Sequence, residues 1–135
     1  MRMKFFVLFG WGGLLLLAGC ATSVVQSTPP LPGQLSDHGS RVVTNLKAAN
    51  TGYYLFYCIP LVSGSVTFPN YRAYDFFSDN VKEKNIYRML ERQCAKDKAD
   101  AVEDIQLRAD VSGWVGIGIV WQKTLTALAV AVKKE

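Results

Sequence analysis

The chain has 135 residues, half of them hydrophobic, and a formal charge of +4. Arg2 and Lys4 supply half of that excess, so residues 20–135 carry only about +2 by the same count. The remaining charges are spread over residues 37–135 without a long run of one sign. That balance excludes a dedicated nucleic-acid binder, whose basic face is strong and clustered.

Arg2 and Lys4 precede an uncharged stretch, residues 5–19, that reads FFVLFGWGGLLLLAG. A spanning helix needs about 20 apolar residues, whereas a signal peptide carries a shorter apolar core ending in small residues. Ala18-Gly19 is such a pair. Leu17-Ala18-Gly19-Cys20 resembles the bacterial lipoprotein lipobox and matches it at all four positions. The alternative is an ordinary signal followed by an unrelated cysteine. The resemblance implies cleavage before Cys20, a thioether-linked diacylglycerol on its sulfur, and acylation of the new amine. Several acyl chains hold a membrane stably where a single chain is marginal. Ala21 and Thr22 follow Cys20 where an inner-membrane retention signal would place Asp, which favours a lipid anchor in the outer membrane, facing the periplasm.

Residues 1–19 are thus expected to be signal peptide, residues 20–40 a lipidated tether, and residues 41–135 one domain. The tether reading rests on ATSVVQSTPPLPGQLSDHGS, rich in Ser, Thr, Pro and Gly and without sustained periodicity. Pro29, Pro30 and Pro32 forbid a regular helix. A flexible linker of this length spans about 25 Å. His38, the only histidine, falls here and lacks neighbouring ligand types for a metal.

Residues 41–46 read as a short strand, and Ala48-Ala49-Asn50-Thr51-Gly52 as a turn. Tyr53–Leu61, YYLFYCIPL, reads as a strand covered on both faces, ended by Pro60. Residues 62–77 form a long connection with five aromatics, Phe68, Tyr71, Tyr74, Phe76 and Phe77. They suit either a binding loop or an ordered loop packed over one end of the sheet. Ser78 suits a helix N-cap, and the helix is expected to run to about Lys98. At 100° per residue Ile86, Tyr87, Met89, Leu90 and Cys94 share its inner face, with Lys84, Arg88, Arg92 and Lys96 outside.

Beyond Ala101-Val102, the alternation of Ile105, Leu107, Ala109 and Val111 against Asp104, Gln106, Arg108 and Asp110 predicts a strand with one buried and one wet face. Ser112-Gly113 reads as a turn. Trp114–Trp121 and Thr124–Lys133 read as a hairpin closing at Gln122-Lys123, bulky on one face. The other face carries Gly116, Gly118, Ala127 and Ala129, bare enough for a closely approaching backbone or aromatic. A membrane span over 111–132 is the competing reading, and a central Lys123 counts against it. The fold expected is α+β, two layers, one helix on a mostly antiparallel sheet in the order β-β-α-β-β-β. The core is similar to TRL-like lipoproteins in its Ala99-Asp100-Ala101-Val102 segment, with Lys98 where a glycine often stands. The resemblance implies a small envelope lipoprotein and transfers no activity.

Catalytic chemistry finds little support. Serine or cysteine nucleophiles normally need a base, usually His, and His38 lies outside the expected domain. Asp97, Asp100, Glu103 and Asp104 cluster at the helix-to-strand junction, but Lys96 and Lys98 interleave and the spacing does not fit a calcium loop. Gly116-Ile117-Gly118 is a lone GxG with no helix to open. Cys58 and Cys94 are candidates for a disulfide, worth about 2–4 kcal/mol if their Cα atoms approach within about 7 Å; the alternative is two buried thiols. No catalytic residue, cofactor or metal is expected. The reading is a non-catalytic binding or structural module whose partners are the membrane, through lipid on Cys20, and an envelope protein or a second copy. The alternative is a small-molecule or lipid-binding lipoprotein with an apolar pocket.

Overall fold

The computed structural model describes residues 20–114 and 119–134. Six strands and one helix build a two-layer α+β domain: β1 (Ser23–Thr28), β2 (Arg41–Leu55), β3 (Ile59–Gly64), β4 (Tyr74–Phe76), α1 (Glu83–Lys96), β5 (Ala101–Trp114) and β6 (Val120–Lys133). The layers agree with expectation and the order does not. All pairings are antiparallel, along the path β4-β3-β2-β6-β5. β2 is central. β6 runs along one of its edges from Arg41 to Leu55, and β1 and β3 share the other edge end to end, β1 on 45–50 and β3 on 52–55.

β1 replaces the first part of the expected tether. Its Val25 is buried in the main core. Its outer edge is closed by a side chain acting as a strand: the Asn70 amide accepts from Val25 N and donates to Val25 O, both at 2.7 Å. Gly64 makes this docking feasible, because a Cβ there would strike the backbone of Thr22 and Ser23.

Three expected turns are absent because long-range pairing overrides local turn chemistry. Ala48–Gly52 lies inside β2, where Asn50 is fully buried and its Nδ2 donates to Gly64 O at 3.0 Å. Gly52 is needed for close approach, since a Cβ would lie 2.9 Å from Val81 Cγ2. Ser112-Gly113 lies inside β5 and Gln122-Lys123 inside β6, so the expected hairpin of 114–121 with 124–133 does not form. The face assigned to Gly116 and Gly118 lies outside the described residues. Conversely, Tyr53–Leu61 is interrupted. β2 stops at Leu55, Phe56–Cys58 turn, and Pro60 pairs with Tyr54 inside β3.

α1 starts at Glu83 rather than after Ser78, with Lys82 at the cap position and no side-chain cap. Of its predicted inner face, Ile86, Met89, Leu90 and Cys94 are buried and Tyr87 is half-buried at the margin. Ala48, Ala127, Ala129 and Ala131 lie in the same cluster and admit the helix closely. Lys98 then takes a left-handed φ of 57° just past the helix, the position glycine usually fills.

Of the expected buried face of β5 only Leu107 packs on the core, and Ala109 is exposed along with Ile105 and Val111. Asp104 has φ 54° at a register shift between Glu103 and Gln106, a bulge that resets the alternation. Val102 and Leu107 pack on the core, while Ile105 and Val111 are exposed. Length adds to this: a 14-residue helix is about 21 Å long and a 14-residue strand about 46 Å, so α1 leaves one end of the sheet bare. Residues 120–132, expected by one reading to belong to a membrane span, are strand, and no described helix is long and apolar enough to cross a membrane.

Candidate functional site at the uncharged end of the sheet

Cys20 is exposed and Ala21, directly after it, is 4% exposed in a small cluster with Tyr53 and Val62. Burial first, and then the neighbouring Cys20 thiol, push the Tyr53 hydroxyl above its ordinary value. Thr51 N donates to Thr22 O at 2.8 Å, and Cys20 is in hydrogen-bond contact with the Tyr53 side chain. The candidate lipidation site therefore sits on the domain itself. No free linker separates them.

Residues 29–40, the remainder of the expected tether, are fastened to the opposite end. Gln34 Nε2 donates to Asn45 Oδ1 at 2.9 Å. Ser36 Oγ donates to Glu103 Oε2 at 2.6 Å, and Asp37 N to Asp104 Oδ2 at 2.8 Å. Ser27 Oγ in β1 donates to Asp97 Oδ2, and Lys134 N to Asp100 Oδ2. The four junction carboxylates are hydrogen-bond anchors for neighbouring chain. His38 is 76% exposed, with Nδ1 3.6 Å from Asp104 Oδ1, and no metal-holding cluster occurs among the described residues.

The candidate disulfide does not form. Cys58 is exposed in the turn after β2, outside the strand expected to carry it, while Cys94 is buried under α1 and donates to Ala99 O; both thiols are free. Burial, and then Asp97, Asp100 and Glu91, push the Cys94 thiol up, which leaves it a poor nucleophile.

At the end near Cys20, the sequence holds no charge over residues 51–64 or 119–122. Phe56, Tyr57, Ile59, Phe76, Phe77 and Ile119 are all exposed there. They are brought together by pairing: Phe56 N donates to Ile119 O at 2.7 Å, Phe77 N to Leu61 O at 3.0 Å, and Phe76 stands opposite Val62. The connection 62–77 therefore does not pack its aromatics over the sheet end; Phe68 and Tyr71 are also exposed. Three of the aromatics carry backbone strain, with φ of 48° at Phe56, 69° at Tyr57 and 53° at Phe77. A bulky residue in this region costs about 1–2 kcal/mol relative to its ordinary conformation. Glycine or asparagine would fit each better.

A buttress stands behind this rim on the helix side of the sheet. The Lys123 ammonium lies 4.3 Å from the centroid of Tyr54 and 4.0 Å from that of Tyr57. Trp121 meets Tyr57 edge-on at 5.8 Å. Tyr54 OH donates to Asp79 Oδ1 at 2.6 Å, and Lys82 Nζ lies 3.3 Å from Asp79 Oδ2. Burial, and then the bond to Asp79, push the Tyr54 hydroxyl far above its usual range, so it remains a donor. This buttress is structural, holding the Phe56–Cys58 turn against the sheet.

An open groove of about 370 Å³ lies between α1 and the start of β5, lined by Tyr87, Leu90, Cys94, Ala99, Val102 and Ile105 among others. Sequence reasoning found its helix side but not the β5 side, which depends on the Asp104 bulge. It also missed the aromatic rim, whose signal was the joint lack of charge in two separate segments. The chain matches no protein-family model, curated protein or solved structure.

Proposed function

We propose that this protein is a membrane-anchored, non-catalytic lipoprotein of a bacterial envelope, attached through lipid on Cys20 and serving as a binding or structural module. The observation that carries this reading is the lipobox Leu17-Ala18-Gly19-Cys20, supported by the exposure of Cys20 beside the buried Ala21. Ala21 and Thr22 favour the outer membrane, with the domain facing the periplasm. The carboxylates that sequence offered for chemistry are engaged in fastening residues 27–40, which supports a non-catalytic role. A protein partner, or a second copy, has a route of attachment at β5: among the described residues, no strand pairs with its outer edge. Cys20→Ser tests the anchor. Labelling with an alkyne fatty acid should mark the parent and not the variant, and the variant should leave the membrane fraction; an equally labelled variant overturns the reading.

The groove between α1 and β5 favours a second reading, a module that takes an apolar ligand. Ala95→Trp would fill it from the exposed helix side. Co-purified lipid or small molecule lost on that substitution would support ligand binding, and identical extracts would exclude it.

A further inference from the structure

We infer that the uncharged end of the sheet is a lipid-docking surface, and that the domain stands on the membrane with Phe56, Tyr57, Ile59, Phe76, Phe77 and Ile119 in the headgroup region. The inference rests on the proposed attachment of residue 20 to a membrane and goes beyond it, because an anchor alone does not say which surface meets the lipid.

Three independent observations converge on this end. The first is where the chain outside the described structure ends. The apolar stretch 5–19 leads straight into Cys20, and Cys20 lies against Tyr53, two residues before β2 finishes. By strand geometry the Phe56–Cys58 turn is on the order of 10 Å farther along. Ala21 is buried and Thr22 is held by Thr51, so no slack remains to lift the domain away. The second is composition. Aromatic and aliphatic side chains without charge suit the interface between headgroups and acyl chains. Exposed Leu31 and Leu35 lie far off, at the end that carries Asp37, His38 and Arg41. The third is strain: Phe56, Tyr57 and Phe77 hold left-handed backbone while exposing their rings. Tyr57 is engaged by Lys123 and Trp121, but neither folding nor solubility explains an aromatic at Phe56 or Phe77, whereas an apolar environment outside the protein does.

Cys58 is an exposed thiol within this rim and reports directly on its surroundings. The full chain is expressed, purified with its anchor and reconstituted in phosphatidylethanolamine–phosphatidylglycerol vesicles. Cys58 then carries a nitroxide, and a Lys96→Cys, Cys58→Ser variant carries one on the exposed outer face of α1. The expected result is a Cys58 label accessible to oxygen and shielded at least 5-fold from a water-soluble nickel relaxant relative to the label at position 96. Phe56→Asn with Phe77→Asn should narrow that difference while the protein stays membrane-bound and its melting temperature does not fall, since Asn tolerates the same backbone. Equal nickel access at the two sites overturns the inference, as does spin–spin broadening that assigns the rim to a second copy. The anchor is read separately by mass. An acylated Cys20 refuses the label, so a blocked Cys20 with a water-exposed Cys58 refutes docking alone, and a labelled Cys20 with a lipid-embedded Cys58 refutes lipidation alone.

Discussion

The two ends of the sheet are built on opposite rules. At the end reached by the C-terminus of α1, charges are dense and the four junction carboxylates are all engaged. Asp97, Asp100, Glu103 and Asp104 each accept from a neighbouring segment, and together they hold β1, residues 36–37 and Lys134. At the other end the charges, Asp79, Lys82 and Lys123, stand behind the rim, and the rim itself is of exposed apolar side chains. One end satisfies itself within the chain. The other is left unsatisfied although a buttress of Tyr54, Asp79, Lys123, Tyr57 and Trp121 holds it in shape. Rigid support for an exposed apolar rim is what a contact surface requires, and the lipid proposed on Cys20, at the same end, is the reason for naming that contact as lipid.

The comparison breaks most severely at Gly64. Gly64→Ala forces a Cβ into the backbone of Thr22 and Ser23, which should cost about 3 kcal/mol and free β1 from β2. Denaturant melts would measure the loss, and protease cleavage between Cys20 and Thr28 would show the anchor turned into a true tether. A variant as stable and as resistant as the parent would mean that β1 is not held where the register puts it.

Glu103→Gln sharpens the charged end. It weakens the bonds from Ser36 at 2.6 Å and Ser40 at 3.4 Å and should cost about 1.5 kcal/mol, in the range for hydrogen bonds to charged groups. Hydrogen exchange should rise in residues 34–40 and stay unchanged in 53–62. A uniform rise would deny that the two ends are independently secured.

Tyr54→Phe tests the buttress and should cost about 1 kcal/mol, because Asp79 is partly solvated and keeps Lys82. It also carries a pH signature. The Tyr54 proton is held more tightly in the folded chain than at the ordinary tyrosine value of 10.0. Its stabilisation is therefore complete below pH 10 and is lost as pH rises toward the folded-state value. Parent stability should fall on alkaline titration above pH 10, and the Phe variant should fall less. Parallel curves would remove Tyr54 from the buttress. The smallest effect belongs to Phe56→Asn, which should leave stability unchanged or raise it by about 1 kcal/mol through relief of the φ 48° backbone.

Much of this fold is legible where period alone decides. The inner face of α1 follows from 100° spacing, and Ile86, Met89, Leu90 and Cys94 are buried as expected. Signals that depend on distant partners were misleading. Asn50-Thr51-Gly52, Ser112-Gly113 and Gln122-Lys123 all have turn composition, yet each lies in a strand of at least 14 residues secured by neighbours on the sheet. β1 has the composition of a linker and becomes a strand because β2 offers it an edge and Asn70 closes the other side. The aromatic rim was visible only in part, since it joins residues 56–59, 76–77 and 119 through pairings that no local window contains.

The central claim is that no tether separates the anchor from the domain, so the uncharged end rests on the bilayer. Neutron reflectometry of the anchored protein on a supported bilayer measures that separation directly. The account predicts a protein layer continuous with the headgroups. A hydrated gap of about 25 Å, the span of a free 20-residue linker, would contradict it.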